Sequence, residues 1–145
     1  MYFTHFIVSY MCLYDIIVAK ILLLGGYEGM KVLLFGSETE CSLITEFLKC
    51  SSIAKKLEYS QTDNSDELLN KLRLINPDIV IVSSDGAFGM ERIIATRKLC
   101  PDTTLLWFSN DKDFGAQAYR LNCDYFSVKP ITKQRIVSVV EKLIS

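Results

Sequence analysis

The chain has 145 residues, half of them apolar and 23% charged, which is enough for one hydrophobic core and excludes disorder along its whole length. Sixteen basic and 17 acidic side chains give a formal charge of -1, so no bulk attraction to nucleic acid or acidic lipid arises, and direct nucleic-acid binding is not expected. The five cysteines (Cys12, Cys41, Cys50, Cys100, Cys123) are widely spaced without a Cys-x-x-Cys pair, beside a single histidine, His5. They read as buried thiols of a reducing, cytoplasmic compartment rather than as a disulfide framework or zinc site.

Residues 1–29 form an apolar N-terminal extension distinct from the rest of the chain. Tyr2 to Leu24 reads "YFTHFIVSYMCLYDIIVAKILLL", long enough to span a bilayer at about 20 residues. Asp15 and Lys20 oppose that reading, since a charge near the centre of a spanning helix costs about 2.5–3.5 kcal/mol. A cleaved signal fits poorly, for want of a basic leader and a small-residue cleavage site. Three readings stay open: a start placed too far upstream, with Met30 the natural first residue; a membrane anchor; or an extra packed or partner-binding helix.

From Met30 onward strands and helices alternate. "KVLLFG" (31–36) is a short apolar run suited to a strand buried on both faces. After it Ser37 or Thr39 can cap a helix whose Leu43, Ile44, Phe47 and Leu48 form one apolar stripe, ending near Lys49. "KKLEYSQ" (55–61) is a weaker strand, at or near a sheet edge. Asn64 followed by Glu67 opens "SDELLNKLRLI" in a capping-box pattern, with Leu68, Leu69, Leu72 and Ile75 inward and Pro77 beyond its end. "DIVIVS" (78–83) is the most strand-like segment, and "GMERIIATRKL" (89–99) has helical spacing. "CPDT" punctuates. "TLLWFS" (104–109) is a fourth strand with Trp107 in its core, and "DKDFGAQAYRL" (111–121) a fourth helix that Asn122 can close in a left-handed conformation. "DYFSV" (124–128) is a fifth strand, Lys129-Pro130 a turn, and Thr132 the cap of a last helix with Ile136, Val139, Val140 and Leu143 inward. Five strand-helix alternations predict an α/β fold, a doubly wound five-stranded parallel sheet. In such a sheet ligands bind beyond the carboxyl ends of the strands. Those ends are Gly36-Ser37-Glu38, Ser83-Ser84-Asp85, Ser109-Asn110 and Lys129-Pro130.

Residues 30–145 resemble the receiver domain of two-component response regulators, a flavodoxin-like (β/α)5 fold. The likeness is carried by "MKVLLFG", "PDIVIV", "LLWFSN" and "LNCDYFSVKP" in that order and spacing. Its most specific element is the Lys-Pro pair after an aromatic and a Leu-x-x-Asp turn. The resemblance implies an acidic pair after the first strand to hold a divalent metal, but those positions are Gly36 and Ser37. It implies a phosphoacceptor aspartate at the end of the third strand, and that position is Ser83. A serine hydroxyl cannot form an acyl phosphate, and magnesium prefers carboxylate oxygens. The next loop, "DGAFGM", is about two residues shorter than the family's and lacks its proline.

Lys129 resembles by position the lysine that contacts the phosphoryl group, and is expected to bond loop carbonyls or Glu38 instead. Ser109 matches the family's switch hydroxyl and Phe126 falls at or beside its switch aromatic, both expected to be fixed. Asp85 is expected in an Asp-Gly turn; its alternative role is that of a displaced phosphoacceptor. Ser83 and Lys129 lack the third group and oxyanion donors of a nucleophile and base. Glu38 suits the positive end of a helix.

The expectation is a degenerate, phosphorylation-independent receiver acting in signal transduction by protein-protein interaction, with no enzymatic activity, cofactor or metal. Its interaction face, carried over from the family, comprises Tyr119, Arg120, Phe126, Lys133 and Arg135. Partners are a sensor kinase, another receiver, including a homodimer, or an output module; a membrane is a partner only if residues 1–29 are an anchor. Two alternatives are a small-ligand or phosphate sensor using the vacated pocket at Ser109 and Lys129, and a conventional receiver phosphorylated at Asp85. An enzyme of flavodoxin-like fold is disfavoured by the lack of a phosphate-cradling loop or G-x-G-x-x-G.

Overall fold

A computed structural model describes residues 29–144. The N-terminal extension therefore lies outside the described residues, except for Gly29. Five parallel strands form one sheet: β1 (Met30–Phe35), β2 (Leu57–Thr62), β3 (Ile79–Ser83), β4 (Thr104–Ser109) and β5 (Tyr125–Val128). Their order is β2-β1-β3-β4-β5, which places β2 at an edge and the switch in strand order between β1 and β3.

Among the described residues five α-helices connect and flank the strands: α1 (Glu38–Lys49), α2 (Ser65–Ile75), α3 (Gly86–Leu99), α4 (Gly115–Arg120) and α5 (Lys133–Ile144). Successive side chains of a strand point to opposite faces, and β3 is apolar on both. Ile79 and Ile81 join Val32, Leu34, Leu106 and Phe108 beneath Ile44 and Leu48 of α1 and Ile136 and Val140 of α5. Val80 and Val82 join Leu33, Phe35, Leu105 and Trp107 beneath Leu68 and Leu72 of α2, Ile93 of α3 and Ala118 of α4. The continuous apolar runs are thus explained by a helical layer on each side. Among the described residues no helix is long and apolar enough to cross a membrane.

The helix starts follow local chemistry. Ser37 is the cap of α1, its Oγ accepting from the Glu40 N–H at 3.2 Å. Asn64 Oδ1 accepts from the Glu67 N–H at 3.0 Å and opens α2, and Thr132 Oγ1 accepts from the Arg135 N–H at 3.3 Å at the start of α5. Such caps satisfy donors that the first helical turn leaves without intrahelical partners. Asn122 has φ 58°, as its position after α4 predicts, and Asn76 ends α2 in the same left-handed way at φ 49°.

Several expectations need correction. The Glu67 carboxylate pairs with Lys71 at 3.6 Å, and the Asn64 N–H donates to Thr62 Oγ1, so the capping box is only half made. Leu69 and Ile75 are partly buried, leaving Leu68 and Leu72 as the main contacts. α3 begins at Gly86, three residues before the expected start. The single helix expected over 111–121 is a 3₁₀ turn, Lys112–Phe114, followed by the short α4; Asp111 Oδ1 caps that turn by accepting from the Asp113 N–H at 2.9 Å. Cys50 is exposed and Cys123 half-buried, whereas Cys41 and Cys100 are buried as expected.

Candidate functional site

The carboxyl ends of β1, β3, β4 and β5 deliver Gly36, Ser83, Ser109 and Lys129 to one edge of the sheet. Gly36 has φ 158°, and a Cβ there would come within 2.8 Å of the Ser83 carbonyl oxygen. The close approach of the two strand ends therefore requires a residue without a side chain at this point. Ser83 is 3% exposed. Its hydroxyl donates to Glu40 Oε2, and the other oxygen of that carboxylate, Oε1, accepts from Lys129 Nζ at 2.8 Å. Lys129 also lies 3.2 Å from Asp85 Oδ1. Asp85 is in turn held by Asn110, whose N–H donates to Oδ1 at 2.8 Å and whose side-chain amide donates to Oδ2 at 3.0 Å.

Glu40 is the residue that the strand-end reading misses. Only Glu38 immediately follows the β1 end, so it is the acid expected to meet Lys129. In the fold Glu38 is exposed and lines a cavity of about 190 Å³ with Gly36, Cys41, Gln61, Asp63 and Glu67. Burial, then the charges of Glu40 and Asp63, push the Cys41 thiol up to about 11. Helical Cβ atoms tilt toward the N-terminus, and Glu40, in the first turn of α1, reaches Ser83 and Lys129 at the strand ends. Lys129 thus pairs with Glu40 and Asp85, not with loop carbonyls or Glu38. Asp85 stands at the cap position of α3 but makes no side-chain cap bond; its carboxylate closes on Asn110 rather than on its own turn.

Ser109 is fully buried. Its Oγ accepts from the Asp111 N–H at 3.2 Å, and its carbonyl accepts from the Lys129 N–H at 2.9 Å. Trp107 anchors the floor: Nε1 donates to the Ser84 carbonyl at 2.8 Å, and Phe114 and Phe126 meet the indole edge-on, with ring centroids 5.8 and 5.3 Å away. Phe126 is therefore half-buried against the core. Tyr119 is 84% exposed and Arg120 and Lys133 are exposed, but Arg120 shares a groove with Arg97 and Asp124 whereas Lys133 shares one with Cys50 and Glu141. Arg135 is exposed but donates to Ser127 Oγ at 2.7 Å.

A divalent ion does not fit this arrangement. Gly36 and Ser37 offer no carboxylate. Glu40 Oε1 and Asp85 Oδ1, the oxygens that could share an ion, are both taken by the Lys129 ammonium, which leaves a divalent ion neither the space nor the free oxygens of its near-octahedral shell.

No protein-family model and no curated protein matches the chain. Solved structures do. A response regulator receiver domain of Methanospirillum hungatei aligns with a TM-score of 0.69 and 12% identity, covering 81% of this chain and 94% of that one. An orphan response regulator of H. pylori aligns at 0.67 and 18%, covering 80% and 97%. A response regulator of Burkholderia multivorans aligns at 0.61 and 20%, covering 81% and 97%. At these identities the likeness is one of fold: the chain has the five-stranded, flavodoxin-like architecture of a response-regulator receiver domain.

Proposed function

We propose that this chain is a phosphorylation-independent receiver-like module that works in signalling by binding another protein. The observation that carries this reading is the state of Ser83. The side chain at the phosphoacceptor position is a hydroxyl, buried and committed to Glu40, and the lysine opposite is already neutralised by two carboxylates. The strand end itself carries no carboxylate nucleophile; the Glu40 carboxylate beside it has its two oxygens engaged by Ser83 and Lys129, and Asp85, the displaced alternative, has both oxygens engaged by Asn110. Glu40 also weighs against a phosphate or small-ligand sensor at Ser109 and Lys129, because it lies against the lysine such a ligand would need.

Binding is assigned to the β5 edge of the sheet flanked by α4 and α5, on whose helices Tyr119, Arg120 and Lys133 are each exposed. Aromatic and arginine side chains are the residue types that dominate interface energies. A sensor kinase, another receiver and an output module remain the partner classes. The test is capture of partners with the full chain and with its Arg120→Glu and Lys133→Glu variants. Loss of partner in the variants supports the assignment; unchanged recovery removes this face. Incubation with acetyl phosphate and magnesium, read by intact mass, tests the first half of the proposal. A covalent phosphoryl adduct at residues 83–85 would overturn it.

A further inference from the structure

We infer that Lys129 is the resident cation of this site: its ammonium takes the place of a divalent ion between Glu40 and Asp85 and holds the ends of α1, β3 and β5 together without any ligand. The inference deepens the proposed function and rests on its reading of the site as one that takes no phosphoryl group.

Three observations converge on it. The ammonium lies 2.8 Å from Glu40 and 3.2 Å from Asp85, so one cation is shared by carboxylates from two different helix starts. The lysine side chain is only 13% exposed, so its charge has lost most of its water and depends on those carboxylates. The backbone N–H of the same residue ties β5 to the Ser109 carbonyl of β4. Charge and register at this edge of the sheet are thereby set by one residue. The site still carries one negative charge in excess, two carboxylates against one ammonium, which disfavours an incoming oxyanion.

Replacing the ammonium by nothing converts this arrangement into its opposite. In Lys129→Ala two carboxylates face a space of cation size, with the Ser83 hydroxyl beside them, and oxygen ligands of this kind suit a hard divalent ion.

The experiment is a titration of the full chain with manganese(II), followed by paramagnetic broadening of amide signals and by thermal unfolding, for wild type, Lys129→Ala and Lys129→Ala/Asp85→Asn. The expected result is no site-specific broadening in wild type and selective broadening around Ser83, Asp85 and Asn110 in Lys129→Ala. The melting temperature of Lys129→Ala should rise by about 5 °C at manganese ten-fold above its dissociation constant. The double variant should lose that gain. If Lys129→Ala is unfolded without metal, manganese should restore cooperative unfolding, and failure to restore it counts against the inference. Manganese binding by wild type as tight as by Lys129→Ala would overturn it, as would a folded Lys129→Ala without gain. A wild-type chain inert to acetyl phosphate combined with either result sinks only the resident-cation role. A phosphoryl adduct on wild type sinks the proposed function.

Discussion

Lys129→Met keeps most of the side chain's apolar stem but removes the charge between Glu40 and Asp85. Exposed ion pairs contribute about 0.2–1 kcal/mol, whereas breaking a fully buried pair costs about 3–5 kcal/mol. Lys129 is 13% exposed but its partners are 32% and 46% exposed, so solvent screens much of the interaction. The expected loss is about 2 kcal/mol, between those two ranges, from two missing contacts and two carboxylates left facing each other. For a domain of this size the melting temperature should fall by about 6–8 °C. Urea unfolding of wild type, Lys129→Met, Glu40→Gln and the double variant gives the coupling directly. The double variant should be more stable than additivity predicts by about 1 kcal/mol, because Glu40→Gln removes the charge that Lys129→Met leaves uncompensated. Salt at about 1 M, where the screening length is about 3 Å, should recover part of the deficit of Lys129→Met. A loss below about 0.5 kcal/mol, or full additivity in the cycle, would refute the reasoning that this ion pair holds the site.

Gly89→Ala should destabilise by about 2–3 kcal/mol through overpacking, since a Cβ there would lie 2.3 Å from the Ser84 carbonyl oxygen and 2.9 Å from Trp107 Nε1; urea unfolding followed by tryptophan fluorescence checks it. Arg97→Met should cost about 2 kcal/mol, because the guanidinium donates to the Pro101, Thr103 and Asn122 carbonyls and to Asp124; a change in urea midpoint within error would refute that role. Iodoacetamide at pH 8 should label Cys50 in the native chain well before Cys41, Cys100 or Cys123, whose thiols burial pushes upward, Cys41 to about 11 and Cys123 to about 12. Because these thiols stay protonated in the native state but ionise near 9.0 when unfolded, their contribution to stability is intact below pH 9. It is lost between pH 9 and about 11–12. A urea midpoint that holds constant or rises from pH 8 to 10 would contradict this.

The fold was legible because its signals are local and redundant. The apolar run of β3 needs two covering layers, the Asn64 and Thr132 caps mark helix starts, and Asn122 supplies a left-handed closure. The absence of carboxylates at Gly36, Ser37 and Ser83 is equally plain once the strand ends are placed. The acid that replaces them is harder to see. Glu40 stands three residues after Ser37, the spacing of a capping box, in which the acid would normally turn back to the cap's own N–H. Here the same first-turn position instead delivers the carboxylate to Ser83 and Lys129, a partnership 43 and 89 residues away along the chain. Sequence spacing encodes the helix start but not which neighbouring strand end lies beneath it. The early start of α3 has a similar origin. Asp85 gives its carboxylate to Asn110 across the strand ends, so the helix begins without the side-chain cap that sequence patterns rely on.

On this reading the site is complete without a phosphoryl group. Nitrogen-15 NMR of the full chain, titrated with magnesium and beryllofluoride, tests it most directly. The amides of Ser83, Asp85, Ser109, Phe126 and Lys129 are predicted to keep their positions throughout the titration. A saturable, magnesium-dependent shift at Ser83 or Asp85 that spreads to Ser109 and Phe126 would contradict the account.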